Sequence, residues 1–325
     1  MLNVQLGFLR LHHHFYRKVK NPIIETIEYL GFAALSGVVK SFSYRTASTV
    51  GSRLGGMAYR LLGSRKTVAL DNLANAFPEL SDRERESIAL GAFRNYGIAL
   101  SQMLWTGGKS EQELMATVSL ANPEVIQHLL ASPRGFILLS AHFGNWEFLP
   151  QGLRLHLGRP MTMIAQRQRN KRIDAMIEQA RTRWNNKTVS MGVSSREAFR
   201  ALQDGAMMLI LGDQSGPKEA VFIDFFGRPA ATHRGAAAFS LKTKTPIIMT
   251  LMVRTNDGTY ETVFEEIDKT GIEEYSEENV VELTRRHTAV LEKHIRLHPD
   301  HWLWMHKRWK HTEYYRSTQL VPEGA

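Results

Sequence analysis

One stretch of sequence decides the fold of this chain: Phe136-Ile137-Leu138-Leu139-Ser140-Ala141-His142-Phe143-Gly144-Asn145-Trp146-Glu147. Its apolar beginning predicts a strand that is buried on both faces of a sheet. The run ends at a histidine, and a carboxylate follows after four intervening residues. A neutral imidazole can accept the proton of a hydroxyl near neutral pH, and a carboxylate can fix its tautomer. The stretch therefore predicts a strand that delivers a general base, His142, with Glu147 as its partner.

A structural reading of the same residues stays open at this point. His142 could merely cap a following helix, and Glu147 could be a solvated acid in its first turn. Gly144, between them, predicts a place where a ligand approaches the backbone closely.

Outside this stretch, the second half of the chain alternates between strand and helix patterns. The predicted strands are 136–140, 161–165, 207–211 and 247–253, with an edge strand at 260–267. The predicted helices are 145–157, 171–184, 195–203, 233–242 and 278–297. This alternation predicts an α/β fold with a mostly parallel sheet flanked by helices.

Three predicted strands end in residues with useful chemistry. His142 follows the first, Arg167 the second and Asp213 the third. Ligands of open parallel sheets bind outside the carboxyl ends of the strands, so these side chains are expected to share one site. Asp213 is expected to orient a substrate or Arg167, and the alternative is that it caps the turn after its strand.

Composition restricts the partners. The chain has 325 residues, no cysteine and a net charge of +9. The absence of cysteine excludes disulfides, thiolate metal sites and a cysteine nucleophile. The positive charge favours an acidic partner such as an anionic lipid, an acidic carrier protein or a nucleic acid. The triplet His12-His13-His14 is not expected to bind a metal, because consecutive side chains diverge.

The first 66 residues are basic and apolar, and they predict a membrane-associated segment. Ile23 to Val39 is close to the lower limit of roughly 17 residues for a spanning helix, and Glu25 and Glu28 interrupt it. Basic residues flank both sides, so we expect a helix that lies in the cytoplasmic leaflet. A core helix hidden under the domain is the alternative. Residues 67–325 are the expected catalytic domain, with a helical lead-in at 67–130 and an α/β core at 133–312.

Several blocks of sequence, in order, resemble one known family. They are Asn72 to Leu80, Ala141 to Glu147, Gly212-Asp213-Gln214 with Val221 to Thr232, and His301-Trp302-Leu303-Trp304-Met305-His306-Lys307-Arg308-Trp309-Lys310. The H-x-x-x-x-E spacing at a strand exit is typical of glycerolipid-type acyltransferases. The whole set, spread over residues 20 to 312, resembles the late acyltransferases of lipid A, the lauroyl and myristoyl transferases of lipopolysaccharide biosynthesis.

The resemblance implies an O-acyltransferase on the cytoplasmic face of a Gram-negative inner membrane. Its donor would be an acyl carrier protein, and its acceptor a hydroxyl on an acyl chain of a lipid A precursor. It implies that His142 is the general base, that Glu147 is its partner, and that the family's arginine is Arg167, in preference to Arg169. Anionic inner-membrane lipid is an expected partner; nucleic acid, metal and organic cofactor are not.

Other residues of these blocks are expected to bind substrate. Asn145 lies inside the histidine motif. Arg228 and Arg234 are candidates for lipid phosphates, because a guanidinium binds phosphate in a bidentate manner, although either could be a solvated surface charge. The tryptophans Trp302, Trp304 and Trp309 predict a membrane-interface belt, a nucleic-acid surface or simple packing. The tetrahedral oxyanion needs donors, and Arg167 or backbone amides are the candidates.

Three other functions compete with lipid A acylation. The same chemistry could serve another glycolipid or an aminolipid. A metal-dependent phosphoesterase could use His142, Glu147 and Asp213, although the sequence has no dense metal-ligand motif. A basic nucleic-acid-binding protein is the third class, but no recognition motif is present.

Overall fold

The structure is a computed structural model that describes residues 22–190 and 195–319. The His12-His13-His14 triplet and the basic residues that precede Pro22 lie outside the described residues. Within them, the helices are α1 (Pro22–Lys40), α2 (Tyr44–Leu61), α3 (Gly63–Ala76), α4 (Asp82–Thr106), α5 (Glu111–Met115), α6 (Glu124–Ala131), α7 (Leu149–Leu157), α8 (Lys171–Arg181), α9 (Ser195–Gln203), α10 (Gly235–Thr243), α11 (Glu277–Leu297) and α12 (Thr312–Gln319). The strands are β1 (Val118–Leu120), β2 (Phe136–Ser140), β3 (Met161–Ala165), β4 (Lys187–Ser190), β5 (Met207–Leu211), β6 (Val221–Phe225), β7 (Arg228–Thr232), β8 (Ile247–Arg254) and β9 (Tyr260–Glu266).

Seven strands form one sheet in the order β1-β9-β8-β2-β5-β3-β4. The pairs from β8 to β4 are parallel, and only β8 and β9 pair in antiparallel fashion. The predicted α/β class with a mostly parallel sheet and flanking helices is therefore confirmed. The hairpin of β6 and β7 forms a separate two-stranded sheet.

The central strand β2 is buried on both faces, as its unbroken apolar pattern predicts. All five of its residues are buried. Ile137 and Leu139 belong to one hydrophobic cluster, and Phe136 and Leu138 belong to another. Successive side chains of a strand point to opposite faces, so β2 lies between the two cores of the domain. The strand exit that carries His142 is thereby held rigidly.

Helix α2 packs tightly against α4. A Cβ atom at Gly51 would lie 2.5 Å from the carbonyl oxygen of Gly97, so only the absence of side chains lets the two backbones approach this closely. The predicted boundary between residues 66 and 67 falls inside α3, which begins at Gly63. Residues 44–61 thus pack onto the helical lead-in of the expected catalytic domain.

Helix α1 has two different faces. Phe32 is buried with Met103, Ile173 and Ile177, and the carboxylate of Glu28 accepts a hydrogen bond of 2.8 Å from Arg169. The opposite face exposes large apolar side chains: Ile23, Ile24, Ile27, Leu30, Leu35 and Val38. Among the described residues, α1 is one helix whose length and composition would allow it to cross a membrane, which by itself is a weak indication.

Candidate active site

The ends of β2 and β5 bring together the two most important side chains of the site. The strands are parallel neighbours, with Ser140 opposite Leu211, so the residues that follow them meet at one edge of the sheet. The Nδ1 atom of His142 lies 2.8 Å from Oδ1 of Asp213. The backbone N–H of His142 donates to Oδ2 of the same carboxylate at 3.0 Å.

The carboxylate of Asp213 sets the protonation of the imidazole. Burial alone would raise the pKa of Asp213, but the charge of His142 and hydrogen bonds from His142 and Trp302 outweigh it and lower this pKa to about 2. An ionised carboxylate only accepts hydrogen bonds, so Nδ1 of His142 carries a proton. When the ring is neutral, its Nε2 atom therefore carries the lone pair, which is what a general base requires.

A third residue, Gln214, contacts the base directly. Its Nε2 atom lies 3.3 Å from Nε2 of His142. Because Nδ1 of the ring is protonated, the amide N–H of Gln214 donates to the lone pair of Nε2. An attacking hydroxyl needs the same lone pair, so the amide of Gln214 borders the position of the reacting oxygen. Gln214 belongs to one of the sequence blocks that carry the family resemblance, but the sequence predicted no role for it.

Glu147 is placed differently from expectation. Its Oε1 atom lies 2.7 Å from a terminal nitrogen of Arg181, and its Oε2 atom lies 3.2 Å from Nε of the same guanidinium. Both side chains are mostly buried. The expected contact of Glu147 with His142 is therefore wrong for this structure, because Arg181 takes both carboxylate oxygens. A catalytic role of Glu147 stays a prediction.

Asp213 also differs from its expected role. It was expected to orient Arg167 or a substrate, and instead it holds His142 and accepts a hydrogen bond of 2.9 Å from the indole of Trp302. The partner of the base thus comes from a neighbouring strand that is 71 residues away in the sequence. The rule that parallel strand ends converge predicted this proximity, but spacing along the chain favoured Glu147.

Asn145 and Gly144 shape the loop after β2 rather than facing an open site. Asn145 is fully buried; its Oδ1 accepts from the N–H of Phe148, and its Nδ2 donates to Gln102. Gly144 has φ of 56°, and a Cβ atom there would lie 1.7 Å from the carbonyl oxygen of Met252. The close approach at Gly144 is therefore to β8 and not to a ligand. The predicted helix at 145–157 begins only at Leu149 because this loop intervenes.

The predicted substrate-binding arginines contact side chains other than His142 and Asp213. Arg167 follows β3 and forms ion pairs with Asp174 and Glu178 of α8. Arg228 lies over the ring of Trp309, and Arg234 pairs with Glu277. Arg169, the alternative to Arg167, pairs with Glu28 of α1. The roles of these four side chains in substrate binding stay predictions.

The carboxyl-terminal motif is a buried part of the site. Trp302 and Trp304 are almost completely buried, and Trp309 is 8% exposed, so packing explains them better than a membrane belt does. The Nε2 atom of His306 accepts a hydrogen bond of 3.1 Å from the N–H of Ser215, next to Gln214. Burial lowers the pKa of His306 to about 4, so its ring is neutral and can accept. The resemblance drew attention to this block, but the sequence did not predict its contact with Asp213.

The arrangement suits proton abstraction from a hydroxyl. It provides a base, a carboxylate that orients it, and an amide donor beside it, which are the roles needed for acyl transfer. Among the described residues, no group of three or more histidine, aspartate and glutamate side chains is arranged to hold a metal ion. The three ligands that a phosphoesterase would use do not converge, because Arg181 holds Glu147.

Fold and site thus define an α/β protein that presents a histidine, oriented by a buried carboxylate, at the carboxyl edge of a parallel sheet. The sequence model of the family described as bacterial lipid A biosynthesis acyltransferase matches residues 12–311. The chain belongs to this family, and it is an acyltransferase of lipid A biosynthesis.

Several relatives from Escherichia coli strain K12 are similar over much of their length. The lipid A biosynthesis palmitoleoyltransferase is 25% identical over 269 residues, which cover 82% of this chain and 86% of the relative. The lipid A biosynthesis lauroyltransferase is 24% identical over 288 residues, or 87% and 91% of the two chains. The lipid A biosynthesis myristoyltransferase is 27% identical over 206 residues, 63% of each. Three different acyl groups appear in these names at nearly equal identity, so identity does not select an acyl length.

Proposed function

We propose that this acyltransferase moves a fatty acyl chain from acyl carrier protein to a hydroxyl of a lipid A precursor. The observation that carries the proposal is the contact of 2.8 Å between Nδ1 of His142 and the buried carboxylate of Asp213. It leaves Nε2 as the basic atom at the carboxyl edge of the sheet. A hydroxyl acceptor needs such a base, since an alcohol is a weak nucleophile until its proton is taken.

The proposed reaction proceeds in two proton transfers around one carbonyl carbon. Nε2 of His142 takes the proton of the acceptor hydroxyl while the oxygen attacks the thioester carbonyl. The tetrahedral intermediate collapses, the C–S bond breaks, and the proton on His142 passes to the leaving thiolate. The products are an ester and the free thiol of the carrier. Asp213 stabilises the imidazolium that forms between the two transfers.

The N–H groups of Gln214 are our candidate for stabilising the tetrahedral oxyanion. The amide lies 3.3 Å from the basic nitrogen, beside the position where a hydroxyl held at that nitrogen would attack the thioester carbonyl whose oxygen becomes the oxyanion. Donors placed where charge develops commonly contribute a factor of about 10²–10³ to turnover. Arg167 remains the candidate from sequence resemblance, in a substrate-binding role.

We further propose that residues 1–66 hold the enzyme on the cytoplasmic leaflet of the inner membrane, with residues 67–325 as the catalytic domain. In α1 the polar side chain of Glu28 faces the protein, while Ile27 and Leu30 are 65% and 58% exposed. A helix with one face packed on protein and one apolar face exposed fits an interfacial position. Exposed Arg53 and Arg60 of α2 supply positive charge for anionic lipid.

The donor and acceptor are tested by reconstitution. The full chain in detergent is incubated with acylated carrier protein and a lipid A precursor that lacks secondary acyl chains, and the product is analysed by mass spectrometry. We expect a mass increase of one acyl group that depends on His142. The His142→Ala variant, matched for purity and folding, is the control. An acylated product that forms from a coenzyme A thioester but never from the carrier would contradict the proposed donor.

The membrane position is tested separately. Replacement of Ile27 and Leu30 by serine should reduce flotation with vesicles that contain anionic lipid, whereas replacement of the buried Phe32 by leucine should not. Equal flotation of all three proteins would contradict the role of the α1 face. A reporter fused after Ala325 that is active only in the periplasm should stay inactive, because the carrier protein is cytoplasmic.

A further inference from the structure

The carboxyl-terminal segment pairs with the loop that carries the base. The N–H of Leu303 donates to the carbonyl oxygen of His142 at 3.1 Å, and the N–H of Gly144 donates to the carbonyl oxygen of His301 at 2.9 Å. These bonds form a short antiparallel bridge between Phe143 and Trp302. A segment 160 residues distant in sequence is thus attached to the backbone of the base, which places Trp302 beside the site.

The side chain of Trp302 continues this contact to Asp213. Its indole N–H donates to Oδ2 of Asp213 at 2.9 Å, and the residue is 1% exposed. The rings of Trp304 and Phe225 pack edge-on against it at 4.7 and 5.5 Å. A ring held by packing on several sides cannot turn away, so its N–H is a fixed donor.

The hydrogen bonds of Asp213 divide between its two oxygens. Among the described residues, Oδ1 contacts the imidazole of His142, whereas Oδ2 accepts from the backbone N–H of His142 and from Trp302. Rotation of the carboxylate would break two buried bonds to Oδ2. The donor from Trp302 therefore restrains the rotation that would carry Oδ1 away from Nδ1 of His142.

We propose that Trp302 is a positioning residue for acyl transfer: its indole N–H fixes the carboxylate of Asp213, which in turn holds the base in its reactive tautomer and orientation. The inference rests on the proposed role of His142. Positioning of the base stabilises the imidazolium that forms during reaction, so it belongs to turnover rather than to substrate affinity.

A second anchor holds the chain that follows Asp213. His306 accepts from the N–H of Ser215, and Asn72 of α3 donates to the carbonyl oxygens of Trp304 and His306 at 2.8 Å each. The carboxyl-terminal segment is therefore itself attached to the amino-terminal helices. This attachment explains how a residue outside the sheet can hold a side chain at its edge.

Trp105 of α4 provides a matched control for Trp302. It is 2% exposed and also donates one indole hydrogen bond, but to the carbonyl oxygen of Phe42, and it packs in the other hydrophobic cluster. In Trp302→Phe we expect kcat for acyl transfer to fall about 10- to 100-fold, the usual worth of a hydrogen bond to a charged group, with KM changed less than about twofold. In Trp105→Phe we expect a similar loss of thermal stability and a kcat within about threefold of the parent.

A double substitution separates positioning from general damage. If Trp302 acts through Asp213, Trp302→Phe should lower kcat by less than about twofold when Asp213 is already asparagine. A loss that multiplies fully with Asp213→Asn, or an equal kcat loss in Trp105→Phe, would overturn the proposal. Normal kcat in Trp302→Phe with an inactive His142→Ala would refute only the role of Trp302, whereas an active, folded His142→Ala would refute the proposed function itself.

An isosteric replacement of Trp302 tests the role of its N–H even if the Trp302→Phe variant does not fold. Benzothienylalanine at position 302 keeps the two-ring shape of tryptophan and replaces the N–H by sulfur. We expect the same selective fall in kcat with no loss of packing. Full turnover of this variant would show that the N–H is not needed and would end the inference.

Discussion

The loops that follow β2 and β5 each carry one buried carboxylate, and the two are used differently. Glu147, five residues after His142, forms a two-point ion pair with Arg181. Asp213, on the neighbouring strand end, takes Nδ1 of His142. In the described structure the acid close in sequence is neutralised by an arginine, and the acid distant in sequence orients the base. Strand adjacency, and not spacing along the chain, decides which carboxylate reaches the imidazole.

The electrostatic settings of the two acids match this difference. Asp213 accepts three hydrogen bonds, from the backbone N–H and the ring of His142 and from the indole of Trp302, and among the described residues it forms no ion pair with an arginine or lysine. Glu147 already has a permanent cation beside it, since an arginine stays protonated in proteins. An imidazolium that forms during reaction is therefore stabilised mainly by Asp213, because the charge of Glu147 is offset by Arg181.

The largest effect expected in this comparison is that of the base itself. His142→Ala should lower acyl transfer about 10²–10⁴-fold, the usual contribution of a general base. Single-turnover transfer from the thioester measures it, with circular dichroism as the check on folding. Near-normal turnover in a folded His142→Ala protein would show that His142 is not the general base, and neither carboxylate would then have a role in orienting one.

Asp213→Asn should have the next largest effect on turnover. An amide at this position can donate to Nδ1, which would favour the tautomer with its proton on Nε2 and remove the basic lone pair. We expect kcat to fall by roughly 10²-fold or more with a smaller change in KM, by analogy with triads in which the same change misplaces the proton. An unchanged kcat would show that Asp213 is not the residue that orients His142.

Much of the fold follows from the sequence because the central strands are strongly patterned. The predicted strands 136–140, 161–165 and 207–211 have the bounds of β2, β3 and β5. The elements that the patterns missed are short or at an edge: β1, β4 and the hairpin of β6 and β7. β1 spans three residues, too few for a period to be visible, and Pro229 within β7 argues against a strand unless the strand lies at an edge.

The site could be predicted only in part, for a reason visible in its contacts. His142 stands out because an apolar strand leads directly to it. Asp213, which contacts His142, lies 71 residues from it in the sequence. Trp302, which contacts Asp213, lies a further 89 residues along the chain. Rotamers and neighbouring loops decide such contacts, and a single sequence contains no period that reports them. The contact between Glu147 and Arg181, at the end of α8, likewise joins residues that are distant in the sequence.

The ion pair between Glu147 and Arg181 allows a test of whether Glu147 contributes to turnover directly or through the arginine. If Glu147 acts through Arg181, then Glu147→Gln and Arg181→Met should each lower turnover about 10- to 100-fold, and the double variant should be no worse than either, because the pair is already broken. Each single change leaves a mostly buried partner charge uncompensated, which costs up to about 3 kcal/mol of stability. Thermal unfolding and kcat of the three variants measure this. A normal kcat in Arg181→Met with an inactive Glu147→Gln would show that Glu147 serves the chemistry independently, as the sequence motif predicts.

The smallest expected effects are those of substitutions at Gln214, in the loop after β5, and at Arg167, in the loop after β3. Gln214 contacts the base, whereas Arg167 lies beside Asp174 and Glu178 with its side chain 53% exposed. Gln214→Ala should therefore lower kcat about tenfold with little change in KM, which is less than the factor of about 10²–10³ for a fixed oxyanion donor, because this amide also hydrogen-bonds Nε2 of His142. Arg167→Ala should instead raise KM for the acceptor a few-fold with kcat nearly unchanged, as a residue that binds substrate outside the reacting centre does. Initial rates over a range of acceptor concentrations resolve the two parameters. A fall in kcat for Arg167→Ala that exceeds the fall for Gln214→Ala would assign the oxyanion to the arginine of the loop after β3.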